Sequence, residues 1–384
     1  MAKTIPLLYS ILSKCEPLCR QYSGVIILIN YFLRSLIDWV FRKRSAGLAL
    51  VRIGVPLFGL VLAGLTVGVT IPSSRGNFIL SWDSSGSTGA LSWGVFIIAI
   101  LIVLLGISLI VRDIRWESRK KVIVIEARGL RDYQGQPLAT SVPSSILGRR
   151  EQVIIDLRKG GMVDGTILSP DIAIRRLASF PDDMARRCDG LDRSDISFVL
   201  GGLAPVPFLF LLGVMVDDES QTFFMDWDRR QHTWRSLTDE DDGNRFIVTG
   251  LDSINTTVKR VALCVSASYD VLEADVQMVE TDVPIIKAEL VGRNTQSHWS
   301  EAKQQQLAQQ FLDIVMSLAQ QGVVEISLFL AAPASLSLRL GTIYDRRNLP
   351  RIDVNQYEQS DPKRFPWAIR MPVAGVPHAE LIQR

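Results

Sequence analysis

Apolar positions are unevenly placed along the chain: they crowd ahead of residue 112, and beyond it they break into short runs separated by charged segments. Residues 48–71, LALVRIGVPLFGLVLAGLTVGVTI, carry one charge near their start, and residues 93–111, WGVFIIAILIVLLGISLIV, carry none. As a helix each is long enough to cross about 30 Å of hydrocarbon, so the pattern predicts two transmembrane helices joined by a loop over 72–92. Gly59, Gly64 and Gly68, with Ala63, place small residues at four- or five-residue spacing. That is either a surface for close helix approach or the ordinary glycine enrichment of membrane helices. Residues 24–41 are apolar as well, but Asn30, Arg34 and Asp38 recur every four residues and make a polar stripe. The expectation for residues 1–47 is therefore an amphipathic segment lying in the membrane plane.

Beyond residue 112 the apolar runs take strand and helix periods. Residues 196–216, ISFVLGGLAPVPFLFLLGVMV, resemble a further span until two features are weighed: two prolines in the middle, and a copy downstream. Residues 326–344, ISLFLAAPASLSLRLGTIY, repeat the plan, with Ile196-Ser197 matching Ile326-Ser327, Gly201-Gly202 matching Ala331-Ala332, and Gly213 matching Gly341. Each copy reads as a buried strand, a small-residue turn with proline, and a helix; Arg339 and Asp345 make the second plainly soluble. FFMDWD (223–228) parallels DVNQYE (353–358), and VIIDLR (153–158) parallels PIIKAEL (284–290). Helical stretches follow at 169–188 and 300–321, the second ending at Gly322. The domain is thus expected to be α/β, two similar halves over 122–258 and 259–375, each with a largely parallel sheet.

Charge orients the membrane part. Arg42, Lys43 and Arg44 precede the first apolar run, and Arg112, Arg115, Arg119, Lys120 and Lys121 follow the second, whereas the link between them holds only Arg75 and Asp83. By the positive-inside rule the flanks face the cytoplasm and the link faces outward. The net charge of +2 argues against a surface that coats DNA or RNA polymers. Cys15, Cys19, Cys188 and Cys264 form neither a disulfide framework nor paired CxxC knuckles, in keeping with a reducing compartment. His232, His298 and His378 lie in unlike contexts without a hydrolase, zinc-protease or P-loop motif, so neither catalysis nor a metal or other cofactor is expected.

In open α/β sheets ligands bind outside the carboxyl ends of strands where strand order reverses, and small-residue turns opening helices offer N–H groups to anions. The candidate ligand residues are Gly201, Gly202, Leu203 and Ala204 in the first copy and Ala331, Ala332, Pro333, Ala334 and Ser335 in the second. Ser266, Ser268 and Tyr269, where VALCVSASYDV (261–271) ends, join them, with Trp227 and Tyr357 as bases' stacking partners. Tight strand-to-helix packing and core aromatics are the competing explanations, and Lys287 reads as surface.

The run VEISLFLAAPASLSLRLG followed by VNQYE closely resembles the end of SAVED domains, and the resemblance extends over roughly residues 122–370. That family is built of two fused halves related to the CARF sensor fold. The first half departs from the pattern, with Gly-Gly-Leu-Ala-Pro in place of Ala-Ala-Pro-Ala-Ser. With two membrane helices attached, the chain resembles a membrane effector of cyclic-oligonucleotide-based anti-phage signalling (CBASS) in the bacterial inner membrane. The resemblance implies a cyclic oligonucleotide ligand, a cyclic trinucleotide in size, made by a partner nucleotidyltransferase. It further implies a homo-oligomer formed on ligand binding and disruption of membrane lipid by the spans. A membrane-tethered enzyme degrading such a nucleotide, as ring nucleases of related fold do, is the alternative.

Overall fold

A computed structural model describes residues 46–62, 66–73, 76–83, 90–129, 135–159, 168–216 and 221–384. The amphipathic segment expected before residue 46 lies outside the described residues. The chain divides into two compact units, residues 1–117 and 118–384.

The first unit contains helix α1 (Ala46–Leu62), strands β1 (Thr66–Ser73) and β2 (Gly76–Asp83), and helix α2 (Ala90–Arg119). The first apolar run is therefore not one helix to residue 71: α1 stops at Leu62, and β1 pairs antiparallel with β2, Thr66 opposite Asp83 and Ser73 opposite Gly76. The reason is legible in side-chain shape. Thr66, Val67, Val69, Thr70 and Ile71 are β-branched, which disfavours a helix and suits a pleated strand. Within α2, Gly94–Trp116 is the one stretch among the described residues long and apolar enough to cross a bilayer; Ala46–Leu57 is a shorter apolar piece.

Helices α1 and α2 run antiparallel in contact, and their closest approach uses glycines other than those expected. A Cβ on Gly47 would meet the Gly106 carbonyl, one on Gly106 would meet Val51, and one on Gly54 would meet Val103, whereas one on Gly59 would meet nothing. Gly47 and Gly54 lie seven residues, two turns, apart on one face. Ala99 and Ile110 are buried on the facing helix, while Ile97, Ile98, Leu101, Leu104 and Leu105 point outward, so the glycines make room for Val51, Val103 and Ile110 between the helices.

The second unit holds β3 (Lys121–Arg128), α3 (Leu138–Ser141), β4 (Arg149–Asp156), α4 (Pro170–Ala178), α5 (Phe180–Cys188), β5 (Ile196–Leu203), α6 (Val206–Val216), β6 (Gln221–Asp228) and β7 (Thr233–Ser236). It continues with β8 (Phe246–Thr249), β9 (Arg260–Ser266), α7 (Glu273–Gln277), β10 (Ile285–Leu290), α8 (Glu301–Gln320), β11 (Glu325–Ala331), α9 (Ala334–Thr342), β12 (Arg351–Gln356), β13 (Trp367–Arg370) and β14 (Glu380–Gln383). One sheet has the order β4-β3-β5-β6-β7, and the other contains the same plan, β10-β9-β11-β12-β13, flanked by β8 and β14. In each, four strands are parallel and the fifth antiparallel. Strands β3 and β9 are buried over nearly their whole length, as the uninterrupted runs VIVIEA and VALCVS require of central parallel strands. The expected repeat is present as two wound sheets. Their division falls before β8, which pairs antiparallel with β10, so the second half begins ahead of residue 259 and runs past 375 into β14.

Helix α6, apolar all round, is a core helix and not a span: Pro207 through Val214 are all buried. It packs on its counterpart α9 at the two glycines matched in the repeat. A Cβ on Gly213 would fall on the Leu338 carbonyl, and one on Gly341 on the Phe210 carbonyl. Phe210 also packs its ring on Phe311 of α8 and on Tyr344, with centroids 6.4 and 6.1 Å away. Helix α8 opens where the Ser300 hydroxyl accepts from the Lys303 N–H at 3.3 Å, and Gly322, at φ +89°, turns the chain out of it.

At the far end of the second sheet from this helix pair's turns, Arg384 enters a buried polar cluster. Its guanidinium lies 2.8 Å from Glu280 and donates to Asn355 at 3.1 Å and Ser327 at 3.0 Å, beside the fully buried Asp353. Replacing Arg384 by alanine leaves Glu280 and Asp353 short of one cation in a dry setting. A loss of about 3 kcal/mol of stability is expected, read by chemical denaturation against the wild-type chain.

Candidate functional site: a cavity shared by the two halves

Strands β5 and β6 of one sheet and β9, β11 and β12 of the other end on one cavity of about 340 Å³. From the first half it takes Leu203, Ala204, Pro205 and Val206 after β5, and Asp226, Trp227 and Arg229 at the end of β6. From the second it takes Ser268 and Tyr269 after β9, Thr295, Gln296, His298 and Trp299 between β10 and α8, Ala332, Pro333 and Ala334 after β11, and Gln356 of β12. Strand order reverses between β3 and β5 and between β9 and β11, so the cavity sits at the switch points of both sheets, where open α/β folds take ligands.

Of the residues proposed from sequence, Leu203, Ala204, Trp227, Ser268, Tyr269, Ala332, Pro333 and Ala334 line this cavity. The others lie outside its lining. A Cβ on Gly201 would press on Leu138 and Trp234, and one on Gly202 on Leu209 and Ala127, so these glycines admit neighbouring side chains. The buried Ser266 hydroxyl accepts from the Val271 N–H at 3.1 Å, and Ala331 spends its carbonyl on the N–H groups of Ala267 and Ser268. Tyr357 stacks edge-on against Phe365, and Lys287 pairs with Glu273 at 2.6 Å.

The expectation that helix-opening amides hold the anion is corrected most at Ser335. Its N–H and hydroxyl both donate to Asp226 Oδ2, at 2.9 and 2.7 Å, and the side chain is fully buried. A carboxylate from the first half already occupies the start of α9, where the helix dipole favours negative charge. Pro205, Pro207 and Pro333 have no N–H, so the two turns offer few donors. What the turns lack, side chains outside them supply: Arg229 is exposed at the cavity and has no ion-pair partner among the described residues. Thr295, Gln296 and Ser268 add neutral polar groups. None of Asp226, Arg229 or His298 was selected from sequence; the FFMDWD run, read as a strand ending, held the one available signal.

The interhalf contact is a small network. Gln304 donates to the Ser335 hydroxyl and to the His298 carbonyl, both at 2.8 Å, and joins α8 to the same floor. His298 Nε2 lies 3.5 Å from Asp226 Oδ2, and its ring stacks at 4.3 Å on Trp299. Burial holds the His298 imidazole below its ordinary pKa, against the pull of Asp226 in the other direction. Because the Ser335 hydroxyl donates to a carboxylate and not to the imidazole, serine and histidine do not form a nucleophile and base pair. Among the described residues there is no cluster of three or more His, Cys, Asp or Glu able to hold a metal ion.

Comparisons place this architecture. Residues 180–371 match the model of the "SMODS-associated and fused to various effectors sensor domain", SAVED, and residues 27–174 match that of the SAVED-fused 2TM effector domain. Similar solved structures include the Cap4 SAVED/CARF-domain-containing receptor of Acinetobacter baumannii with the cyclic trinucleotide 2′3′3′-cAAA, at 11% identity and TM-score 0.42 over 73% of this chain and 59% of that one. The same receptor with 3′3′3′-cAAA (10%, TM-score 0.41) and the Cap4 receptor of Moraxella osloensis (10%, TM-score 0.41) each match over 73% of this chain and 60% of theirs. The chain thus spans about six-tenths of the length of these receptors. No curated protein sequence matches it. The SAVED match alone takes in half of the 384 residues, from the start of α5 to just past β13, while β3 and β4 of the first sheet fall within the other match; the chain belongs to the SAVED family, its sensor domain fused to a 2TM effector domain.

Proposed function

We propose that this protein is a cyclic-oligonucleotide-gated membrane effector of bacterial anti-phage defence. The ligand, of cyclic trinucleotide size and supplied by a partner nucleotidyltransferase, seats in the cavity shared by the halves. Its arrival assembles copies of the chain, and the paired helices then disrupt the lipid of the inner membrane. The observation that carries this reading is the cavity itself, framed by the carboxyl ends of both sheets and bordered by Arg229, Trp227 and Tyr269. A phosphate pairs with the guanidinium, and bases stack on the exposed Tyr269 or on Trp227, at about 1–3 kcal/mol per base. The basic residues flanking the apolar runs hold the sensor domain on the cytoplasmic side. Unpaired strand edges are not tolerated in hydrocarbon, so the β1–β2 hairpin lies outside it, beyond the outer ends of α1 and α2. The chain acts without chemistry on its ligand, a reading supported by the Ser335–Asp226 bond, which keeps that hydroxyl from the His298 imidazole.

The test reconstitutes the chain in dye-loaded liposomes and adds a panel of cyclic di-, tri- and tetranucleotides. One ligand is expected to bind with micromolar or better affinity, to shift the chain to a larger species in sedimentation, and to release dye. A panel with no binder overturns the receptor reading. Binding without leakage overturns the membrane step, and recovery of cleaved ligand by chromatography replaces the effector with an enzyme.

A further inference from the structure

Resting on the receptor reading, we propose that His298 is a binding residue of the cavity and takes up a proton as the anionic ligand seats, so that occupancy of the sensor is coupled to pH. The imidazole lines the cavity, yet it is only 9% exposed, and neither ring nitrogen makes a hydrogen bond of good geometry. Its nearest acceptors are the Thr295 carbonyl and Asp226 Oδ2, the latter 3.5 Å from Nε2. A polar group buried without a partner is costly, and such groups persist where a ligand completes them.

The surroundings fix the direction of the coupling. From β6, Asp226 and Asp228 face the imidazole and favour its charged form. From β7, Arg235, whose guanidinium lies 4.8 Å over the Trp299 ring, opposes it. On α8 the buried Lys303 is already paired with Asp242 at 2.7 Å, and Ser335 of α9 is neutral. Arg229 also lines the cavity. Burial outweighs the two aspartates, so the free protein holds His298 neutral near pH 7. A phosphodiester entering this cavity meets the Asp226 carboxylate, a like charge. An imidazolium, its added proton coming from solvent, sets a positive charge between them, with Nε2–H toward Asp226 and the other N–H shared between the Thr295 carbonyl and the phosphate. Ligand charge thus raises the pKa that burial had lowered, and by reciprocity the proton strengthens binding.

The sign follows from that order of pKa values. Affinity is weakest where His298 is neutral in both states. It tightens by up to about tenfold per pH unit as pH falls through the bound-state pKa, and levels off below the free-state one. The experiment is calorimetric titration of the detergent-solubilised full chain with the cyclic di-, tri- and tetranucleotide panel at pH 6, 7 and 8. Each titration is run in two buffers of different ionisation enthalpy. For whichever member binds, the expected result is tighter binding at pH 6 than at pH 8, by tenfold or more, with net proton uptake at pH 7 and loss of both effects in His298→Gln. If that variant fails to fold, the two-buffer comparison on the wild-type chain decides alone. Binding of equal strength at all three pH values with no proton uptake overturns this proposal and leaves the receptor standing. No binding by any member at any pH overturns the receptor and the proposal together.

Discussion

Replacing Gly341 by alanine is expected to lower the melting temperature of the chain by about 6–12 °C, a loss of about 3 kcal/mol for a domain of this size. At an ordinary helix position the same change stabilises by about 0.5–1 kcal/mol, because glycine has the greater backbone entropy to lose. Here the sign reverses, since the added methyl would overlap the Phe210 carbonyl and approach Gly213 Cα to 3.0 Å. Both neighbours are backbone, so neither can swing aside. Helices α6 and α9 would have to part, loosening Phe210 from Phe311 and Tyr344 and separating the halves whose strand ends form the cavity. Gly213→Ala meets the mirror-image obstacle at Leu338 and Gly341 and should cost as much. Thermal unfolding followed by tryptophan emission checks both, and a variant as stable as the wild type would show that the helices do not meet at this pair.

Those two glycines also mark how much could be read from the sequence. They fall at matched positions in two apolar runs, so comparing the runs located the repeat and a helix in each copy, but not that the two helices meet at these glycines. Strands β5 and β11 and helix α8 were legible for similar reasons: a short apolar run closed by a small-residue turn suits a buried strand, and a twenty-residue amphipathic stretch ending at Gly322 suits a helix, whereas the central run VIVIE of β3 was passed over. The first apolar run misled because apolarity and length were counted while β-branching was not. Thr66 to Ile71 are as apolar as a membrane helix needs, but they are shaped for the hairpin they form. The attachment of β8 to the second sheet was illegible for a different reason. A four-residue strand is assigned by its antiparallel partner β10, thirty-five or more residues away, and nothing local specifies that choice.

The turns that border the candidate cavity were legible; the polar groups that line it were not. The turns after β5 and β11 do border the cavity, as switch points require, but the amide of Ser335 is taken by Asp226 and the prolines offer none. Asp226 and His298 meet only because β6 of one half and the loop after β10 of the other converge, a distance of seventy-two residues along the chain. A histidine weighed by its sequence neighbours alone gave no sign of that contact. The consequence for recognition is electrostatic. With a carboxylate fixed at the start of α9, an anionic ligand needs cationic partners elsewhere, and among the described residues Arg229 lines the cavity without an ion-pair partner.

Charge reversal at that position should therefore be the most damaging single change to binding that leaves the fold intact. Arg229→Glu removes a charge-assisted contact worth about 1.5–3 kcal/mol and sets a second carboxylate against the phosphates beside Asp226. A fall in affinity on the order of 100-fold is expected for the cyclic nucleotide that binds the wild-type chain, since each tenfold corresponds to about 1.4 kcal/mol. The side chain is exposed and without an ion-pair partner among the described residues, so the melting temperature should stay within about a degree. Arg230 is equally exposed but does not line the cavity, and Arg230→Glu makes the same change in net charge. Its affinity should move by no more than about threefold, because a charge outside the cavity acts through screening solvent. Measured side by side at 150 mM salt, about the physiological ionic strength, the two variants separate a contact from a general field. Equal losses would assign the attraction to overall charge, and no loss at Arg229 would move the phosphates to another wall of the cavity.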